Sequence, residues 1–244
     1  MSRLPRFFIS LGQVSGNTIM LAGEDVRHIA MVMRMTPGDE LLLCDGKGTE
    51  YTVKIADISR TDVKTEIVSQ SKKELPRLRI TLGQGLPKSD KMDWIVQKAT
   101  ELGVAAIAPI ITERTIVKVK DEEKRISRWQ KIAREAAMQS NRTYIPTVEA
   151  IRKFSDFLRT PNSEPGTLLL LPWEEGTEPI KNVLRQHPEE QDIVVLIGPE
   201  GGFSSAEAMA AQDKGFQLVS LGPNILRTET AAVAVLSMIG YEFS

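Results

Sequence analysis

The residues best placed to do chemistry are Ile197-Gly198-Pro199-Glu200-Gly201-Gly202-Phe203-Ser204. An apolar run enters a glycine-rich stretch, and a helix signal follows it. Glycines let backbone approach a ligand closely, and the C-terminal edge of a strand is where α/β sheets bind ligands. The plain alternative is a tight strand-to-helix turn with no ligand. The spacing is not GxxxxGK[ST], so no phosphate-cradling lysine and hydroxyl follow, nor is it the GxGxxG of a dinucleotide fold. A second stretch, Leu221-Gly222-Pro223-Asn224-Ile225-Leu226-Arg227-Thr228-Glu229-Thr230-Ala231, again lies between a strand and a helix signal. Gly222-Pro223-Asn224 marks a turn. Thr228 is expected to cap the helix, with Glu229 and Thr230 in its first turn. There Glu229 could simply complement the helix dipole. Arg227 could be a surface cation or the partner of Glu200 or Glu229. Together the two loops would wall a pocket, with Ile197, Leu221 and Leu226 offering apolar surface to a ring.

The rest of the residue inventory removes whole reaction classes. His28 and His187 are the only two histidines. An HExxH zinc site is therefore impossible, and a Ser-His-Asp hydrolase would need one of these two. His28 lies on a mostly apolar helix and reads as structural. Cys44 is the single cysteine, so no intrachain disulfide and no cysteine-based zinc site can form, and no metal is expected. That usage fits a reducing cytosol. MSRLPRFFIS lacks the apolar run of a signal peptide. No run approaches the ~18 residues of a membrane span. The chain is expected to be soluble and cytoplasmic, with no membrane partner.

The elements that must position these loops fall into two rhythms. Residues 1–73 read as β-rich, with strand-like runs at Asn17–Leu21, Asp39–Cys44, Glu50–Ile58 and Asp62–Ser69. Asp45-Gly46-Lys47-Gly48 is a hairpin signal. One helix interrupts, Glu24 to Arg34, with Val26, Ile29, Val32 and Met33 on one face. Short strands with tight turns suggest a small barrel. Polar Gln70 to Pro76 reads as the linker, which divides the chain into 1–73 and 74–244. Beyond it, strands and helices alternate. Strands are expected at Arg79–Gln84, Val104–Ile111, Thr167–Leu171, Ile193–Ile197 and Phe216–Leu221. Helices are expected at Lys88–Leu102, Asp121–Gln139, Ser204–Lys214 and Thr228–Phe243. Ser204-x-x-Glu207 is a capping box. The pattern indicates an α/β domain with a mostly parallel sheet.

The charge total says little, but its distribution says more. Lysine plus arginine number 31 against 32 acidic residues, for a formal net charge of −1. Residues 112–146 nevertheless hold nine Lys/Arg against five Asp/Glu, and residues 77–98 hold five against two. A solvated helix face explains most such runs. Basic residues beside aromatics, as with Arg3, Arg6, Arg27 and Arg34 near Phe7 and Phe8, also suit RNA, where phosphates are neutralised and bases stacked.

At these loops the chain resembles the SPOUT RNA methyltransferases. More narrowly it is similar to the RsmE group, the 16S ribosomal RNA uridine-N3 methyltransferases. The likeness rests on Gly198-Pro199-Glu200-Gly201-Gly202, Leu221-Gly222-Pro223 and Leu226-Arg227-x-Glu229-Thr230-Ala231. It extends to Arg6-Phe7-Phe8, to His28 with Val32-Met33-Arg34-Met35, and to Lys91-Met92-Asp93-Trp94 through Gly103-Val104. Glu113-Arg114 and Trp129-Gln130-Lys131-Ile132 match as well. The group reads Glu-Gln-Ser/Cys-Gly-Arg near the end of the long helix, where this chain has Met138-Gln139-Ser140-Asn141-Arg142. Asn141 is expected to take the left-handed turn a glycine would.

The resemblance implies a PUA-like β-barrel for RNA docking, then an α/β SPOUT domain whose C-terminal segment forms a trefoil knot. It implies a homodimer that methylates uracil N3 in 16S ribosomal RNA, either naked or in the small subunit. It implies S-adenosylmethionine held by Leu171, Pro172, Ile197, Gly198, Pro199, Glu200, Gly201, Gly202, Leu221, Gly222, Leu226, Thr230 and Ala231. Arg3, Arg6, Arg27, Arg34, Lys88, Lys91, Arg114 and Arg142 are the expected RNA contacts. Arginine stays protonated, so Arg227 would stabilise negative charge on the uracil oxygens. Glu200 or Glu229 would accept the N3 proton, directly or through water. Two other readings stay open at this level: a non-catalytic RNA-binding assembly factor, and a hydrolase or phosphate-binding enzyme using the glycine-rich loop.

Overall fold

A computed structural model describes residues 4–74, 76–117, 121–159 and 166–243. The chain divides into two compact units, Met1–Leu75 with Ala137–Ile145, and Pro76–Ala136 with Pro146–Ser244. A single boundary after residue 73 does not describe this division, because the end of the long helix and the turn after it belong with the first unit.

The first unit is a mixed six-stranded sheet. Its strands are β1 (Arg6–Phe8), β2 (Val14–Ser15), β3 (Thr18–Ala22), β4 (Glu40–Cys44), β5 (Thr49–Ile58) and β6 (Asp62–Lys72), ordered β1-β4-β5-β6-β3-β2. β1 runs parallel to β4 and the other pairings are antiparallel. Alternation sets the core, since Ile19 and Leu21, Val53 and Ile55, and Val63 all point inward. Asp45 closes the β4–β5 turn by accepting from the Lys47 and Thr49 N–H groups at 2.7 and 2.9 Å. β6 extends through Lys72, because long β5 pairs Thr49–Tyr51 with Lys72–Gln70. Part of the expected linker is therefore sheet.

The expected helix Glu24–Arg34 is shorter and changes pitch. Helix α1 (Glu24–Arg27) passes into a π-turn over His28–Val32. Widening breaks the 3.6-residue period. Val26 and Ile29 stay buried, whereas Val32 is 68% exposed and Met33 40%. His28 packs edge-on against Phe7, with ring centroids 5.6 Å apart. Residues 137–145 seal the same unit. Ala137 joins a small cluster with Phe8 and Cys44, and Asn141 has φ 60°, in the left-handed region. Burial, partly opposed by Arg6, pushes the Cys44 thiol up to about 11, so it is not a nucleophile.

The second unit is built on a parallel sheet. Its strands are β7 (Arg79–Gly85), β8 (Ala106–Ile111), β9 (Thr147–Val148), β10 (Arg152–Lys153), β11 (Thr167–Pro172), β12 (Glu178–Pro179), β13 (Asp192–Ile197) and β14 (Gln217–Ser220). The order is β10-β8-β7-β13-β11-β14-β12, with β9 also on β8. Six helices accompany it: α2 (Lys91–Glu101), α3 (Glu122–Gln139, whose last three residues belong to the first unit), α4 (Phe154–Arg159), α5 (Ile180–Gln186), α6 (Ser205–Gln212) and α7 (Thr228–Glu242). β13 and β14 flank β11 from opposite sides. The loops leaving those two strands therefore emerge at the same edge of the sheet, on either side of the end of β11. Such a switch in strand order opens a crevice at the C-terminal edge.

Candidate functional site

The two glycine-containing loops meet at that edge around a cavity of about 450 Å³, a volume within the range of small-molecule sites. The first loop leaves β13 as Gly198–Phe203. A Cβ on Gly198 would lie 2.9 Å from the Gly202 carbonyl carbon and 3.1 Å from the Phe203 nitrogen. Only glycine permits that approach. Gly202 has φ +67° and donates its N–H to the Pro199 carbonyl at 2.9 Å, which closes the turn. Arg114 holds the loop from outside, donating to the Gly201 carbonyl at 2.7 Å. The loop ends in the Ser204–Glu207 capping box. The free oxygen of Glu207 accepts from the Glu113 N–H at 2.8 Å.

The second loop runs from Ser220 to Arg227. Arg227, not Thr228, is the N-cap of α7. The Thr228 hydroxyl is drawn elsewhere: it donates to the Gly198 carbonyl at 2.6 Å and accepts from Gln84 Nε2 at 2.9 Å. Gln84 is fully buried at the end of β7. One hydrogen-bonded chain thus ties β7, the glycine loop and the first turn of α7 together.

The sequence-derived candidates separate on this geometry. Pro172, Ile197, Gly198, Pro199, Glu200, Gly201, Gly202, Leu221, Gly222, Leu226 and Ala231 line the cavity, together with Arg227. Leu171 does not, because its side chain belongs to the buried core under the sheet. Thr230 does not either; it sits exposed on α7. Glu229 lies off the wall, its carboxylate 3.2 Å from the Lys91 ammonium. Trp173, Glu174, Asn224 and Ile225 also line the cavity. Trp173 was not among the sequence-derived candidates, although it follows directly on the apolar run of β11, a signal that could have found it.

Several expected RNA contacts are engaged inside the protein. Arg6 pairs with buried Glu50 at 2.7 Å and donates to Cys44 Sγ at 3.1 Å. Arg142 is largely buried, and desolvation holds its guanidinium below the ordinary value. Arg114 braces Gly201, as described. Lys91 sits 3.1 Å from Glu200 and 3.2 Å from Glu229. Arg27, Arg34 and Lys88 remain exposed, while Arg3 lies outside the described residues. Arg227 is exposed on the rim, and among the described residues no ion pair engages it.

Electrostatics decides what kind of ligand fits. Partial burial pushes the Glu200 carboxyl up. Hydrogen bonds from its own N–H, from Lys91 and from the Lys88 N–H more than reverse this, and the net shift is downward. The Glu200 hydrogen bond raises Lys91 against desolvation, with Glu229 adding to the effect. The wall thus carries ionised Glu200 with Glu174, and its lysine is already neutralised by two carboxylates. Among the described residues the wall's other cation, Arg227, has no ion pair and stands on the second loop. Apolar Ile197, Leu221 and Leu226, close-set glycine backbone and a carboxylate suit a ring-bearing cation such as the sulfonium of S-adenosylmethionine.

Comparison with known proteins agrees with this site. A family model described as an RNA methyltransferase domain matches residues 73–240, and one described as an RNA methyltransferase PUA domain matches residues 21–68. The fold and site are those of an RNA methyltransferase. The chain is 34% identical over 251 residues to the ribosomal RNA small subunit methyltransferase E of Bacillus subtilis, covering 98% of this chain and 97% of that protein. The structure of the Neisseria gonorrhoeae protein of the same name, bound to S-adenosyl methionine, aligns with TM-score 0.88 at 34% identity over 98% of both chains. A methyltransferase structure from Legionella pneumophila, also with the cofactor bound, aligns at 0.86 and 32% identity over 98% of both chains. The chain belongs to the ribosomal RNA small subunit methyltransferase E family, whose cofactor is S-adenosylmethionine.

Proposed function

We propose that this chain methylates N3 of one uridine in 16S ribosomal RNA, with the cofactor seated in the cavity between the β13 and β14 loops. The observation that carries the reading is that cavity: two glycine-bearing loops meeting at one close-packed edge, with apolar Ile197, Leu221 and Leu226 beside the Glu200 carboxylate. Bound S-adenosylmethionine supplies an already activated methyl group. The work left to the protein is alignment and exclusion of water. The uridine must leave any stack to reach the wall.

N3 of uracil carries a weakly acidic proton. Glu229 lies off the wall, and Glu200 is held below the ordinary carboxylate range, so neither is a strong base toward it. We assign the main role to Arg227, exposed on the wall, which stabilises the uracil anion through its ring oxygens while the proton passes to water. Pro172, Ile197, Leu221, Leu226 and Ala231 bind the cofactor by apolar contact, and the backbone of Gly198–Gly202 by close approach.

The same reading gives the first unit the form of a PUA-like barrel and the C-terminal segment a trefoil knot. The placement of β14 beyond β11, with α7 packed back on α2, supports the knot. Exposed Met238 and Tyr241 on α7 support a homodimer. The workplace is the cytoplasm, where ribosomes are assembled. Among the described residues no helix is long and apolar enough to cross a membrane.

The test is incubation with unmodified small subunits and with naked 16S RNA, using isotopically labelled cofactor, followed by nucleotide mapping with mass spectrometry. Label on N3 of a single uridine is the expected result. Failure to label 16S RNA in either form would overturn the proposal.

A further inference from the structure

Lys91 opens α2, in the first helical position after Asp90. A cation there faces the positive end of the helix dipole, an unfavourable place. Two carboxylates compensate. The ammonium lies 3.1 Å from Glu200 on the first cofactor loop and 3.2 Å from Glu229 in the first turn of α7. Glu200 is fixed a second time by the Lys88 N–H, at 3.0 and 3.2 Å to its two oxygens. The side chains are part-buried, with Lys91 33% exposed and Glu229 19%. The two carboxylates therefore face one another across a single cation, at a separation where like charges repel strongly when nothing lies between them.

We propose that Lys91 is a positioning residue that holds the two cofactor loops together by neutralising Glu200 and Glu229, and that it is not a phosphate contact for RNA. The inference rests on the reading of the cavity as the S-adenosylmethionine site. Lys91 acts through the two glutamates. Its loss leaves two like charges at the junction of the loops, which then spread and lose their shared fit to the ligand.

The experiment uses the full-length protein and S-adenosylmethionine as the probe, with affinity measured by calorimetry from pH 5 to 8. Wild type binds with little pH dependence, because the ammonium lies between the two carboxylates and offsets their repulsion. Lys91→Met is expected to bind about tenfold more weakly at pH 8, the size of one lost charged hydrogen bond. As pH falls, one unneutralised carboxylate takes up a proton, repulsion is relieved, and affinity recovers toward wild type. Lys91→Arg should stay near wild type. Lys91→Met combined with Glu229→Gln, a residue off the cavity wall, should recover most of the affinity at pH 8, because the repulsion is gone although the cation is still missing. Thermal melting of each variant separates local loss from unfolding. Unchanged affinity in Lys91→Met, or a loss that neither acid nor the second substitution repairs, overturns the proposal. Absence of binding by wild type would instead strike the assignment of the cavity itself.

Discussion

In the proposed mechanism Arg227 carries the chemistry that the two glutamates do not. It caps α7 with extended backbone, stands exposed on the cavity wall, and has no ion pair among the described residues. Its charge is free to meet one that develops on a ligand. If it stabilises the N3 anion, Arg227→Ala should keep cofactor affinity and lose about 10²-fold in turnover, as for removal of one preorganised charge donor. Deprotonated uracil is the reactive form, and the arginine favours it. The rise of turnover with pH should therefore shift to higher pH in the variant. Single-turnover rates between pH 6 and 10, beside calorimetry with the cofactor, check both points. Equal losses in cofactor affinity and turnover would make Arg227 a binding residue. The sequence offered Arg227 as a stabiliser of negative charge and left Glu200 and Glu229 undivided as the proton acceptor. The structure adds which of these charges already have partners, and those partners lie on other elements.

At the scale of elements, the site is a property of how two loops pack. Among the glycines of the two loops Gly198 is the tightest: a Cβ there meets backbone of Gly202 and Phe203, which cannot swing aside as a side chain would. Gly198→Ala should open the loop and weaken cofactor binding by at least about tenfold, with strain of about 1–3 kcal/mol. Melting should stay cooperative, because the capping box that starts α6 is untouched. Retained affinity in calorimetry would show that the close approach is dispensable. These loops were legible in the sequence because their signals are local: glycines after an apolar run, and Ser204 three residues before Glu207. Asn141 was legible for the same reason, since its left-handed turn is a single-residue preference. The π-turn at His28–Val32 was not, because its hydrophobic spacing matches an ordinary helix until the pitch changes. Nor was β1, three residues long and paired in parallel with β4, a partner more than thirty positions away. The protein partners of Arg6, Lys91 and Arg114 were not legible either, because a basic residue's partner is set by tertiary packing, and sequence shows only the charge.

At the scale of the whole molecule, a net charge of −1 gives no bulk attraction to RNA, so binding must come from local cations that remain unpaired. Arg6, Arg114 and Lys91 have partners within the protein, and Arg142 is half-buried. Of the expected contacts that leaves Lys88 in the second unit and, in the first, exposed Arg27 and Arg34 on either side of the π-turn, next to exposed Met31 and Val32. A cationic rim around apolar side chains suits an RNA backbone with an unstacked base. Arg27→Ala with Arg34→Ala should leave melting unchanged and lower the slope of log affinity against log salt by about 2, roughly one for each phosphate contact removed. Arg6→Ala should behave in the opposite way. It strips Glu50, which is 7% exposed, of its nearest cation and should cost about 3 kcal/mol of stability. Its salt slope should not change. Titration of RNA at several salt concentrations, beside thermal melts, distinguishes the two classes of arginine. If the Arg27 and Arg34 double variant melted early with an unchanged slope, the first unit would recognise RNA by some other face, and a chain so nearly neutral would have to rely on the exposed charges of its second unit.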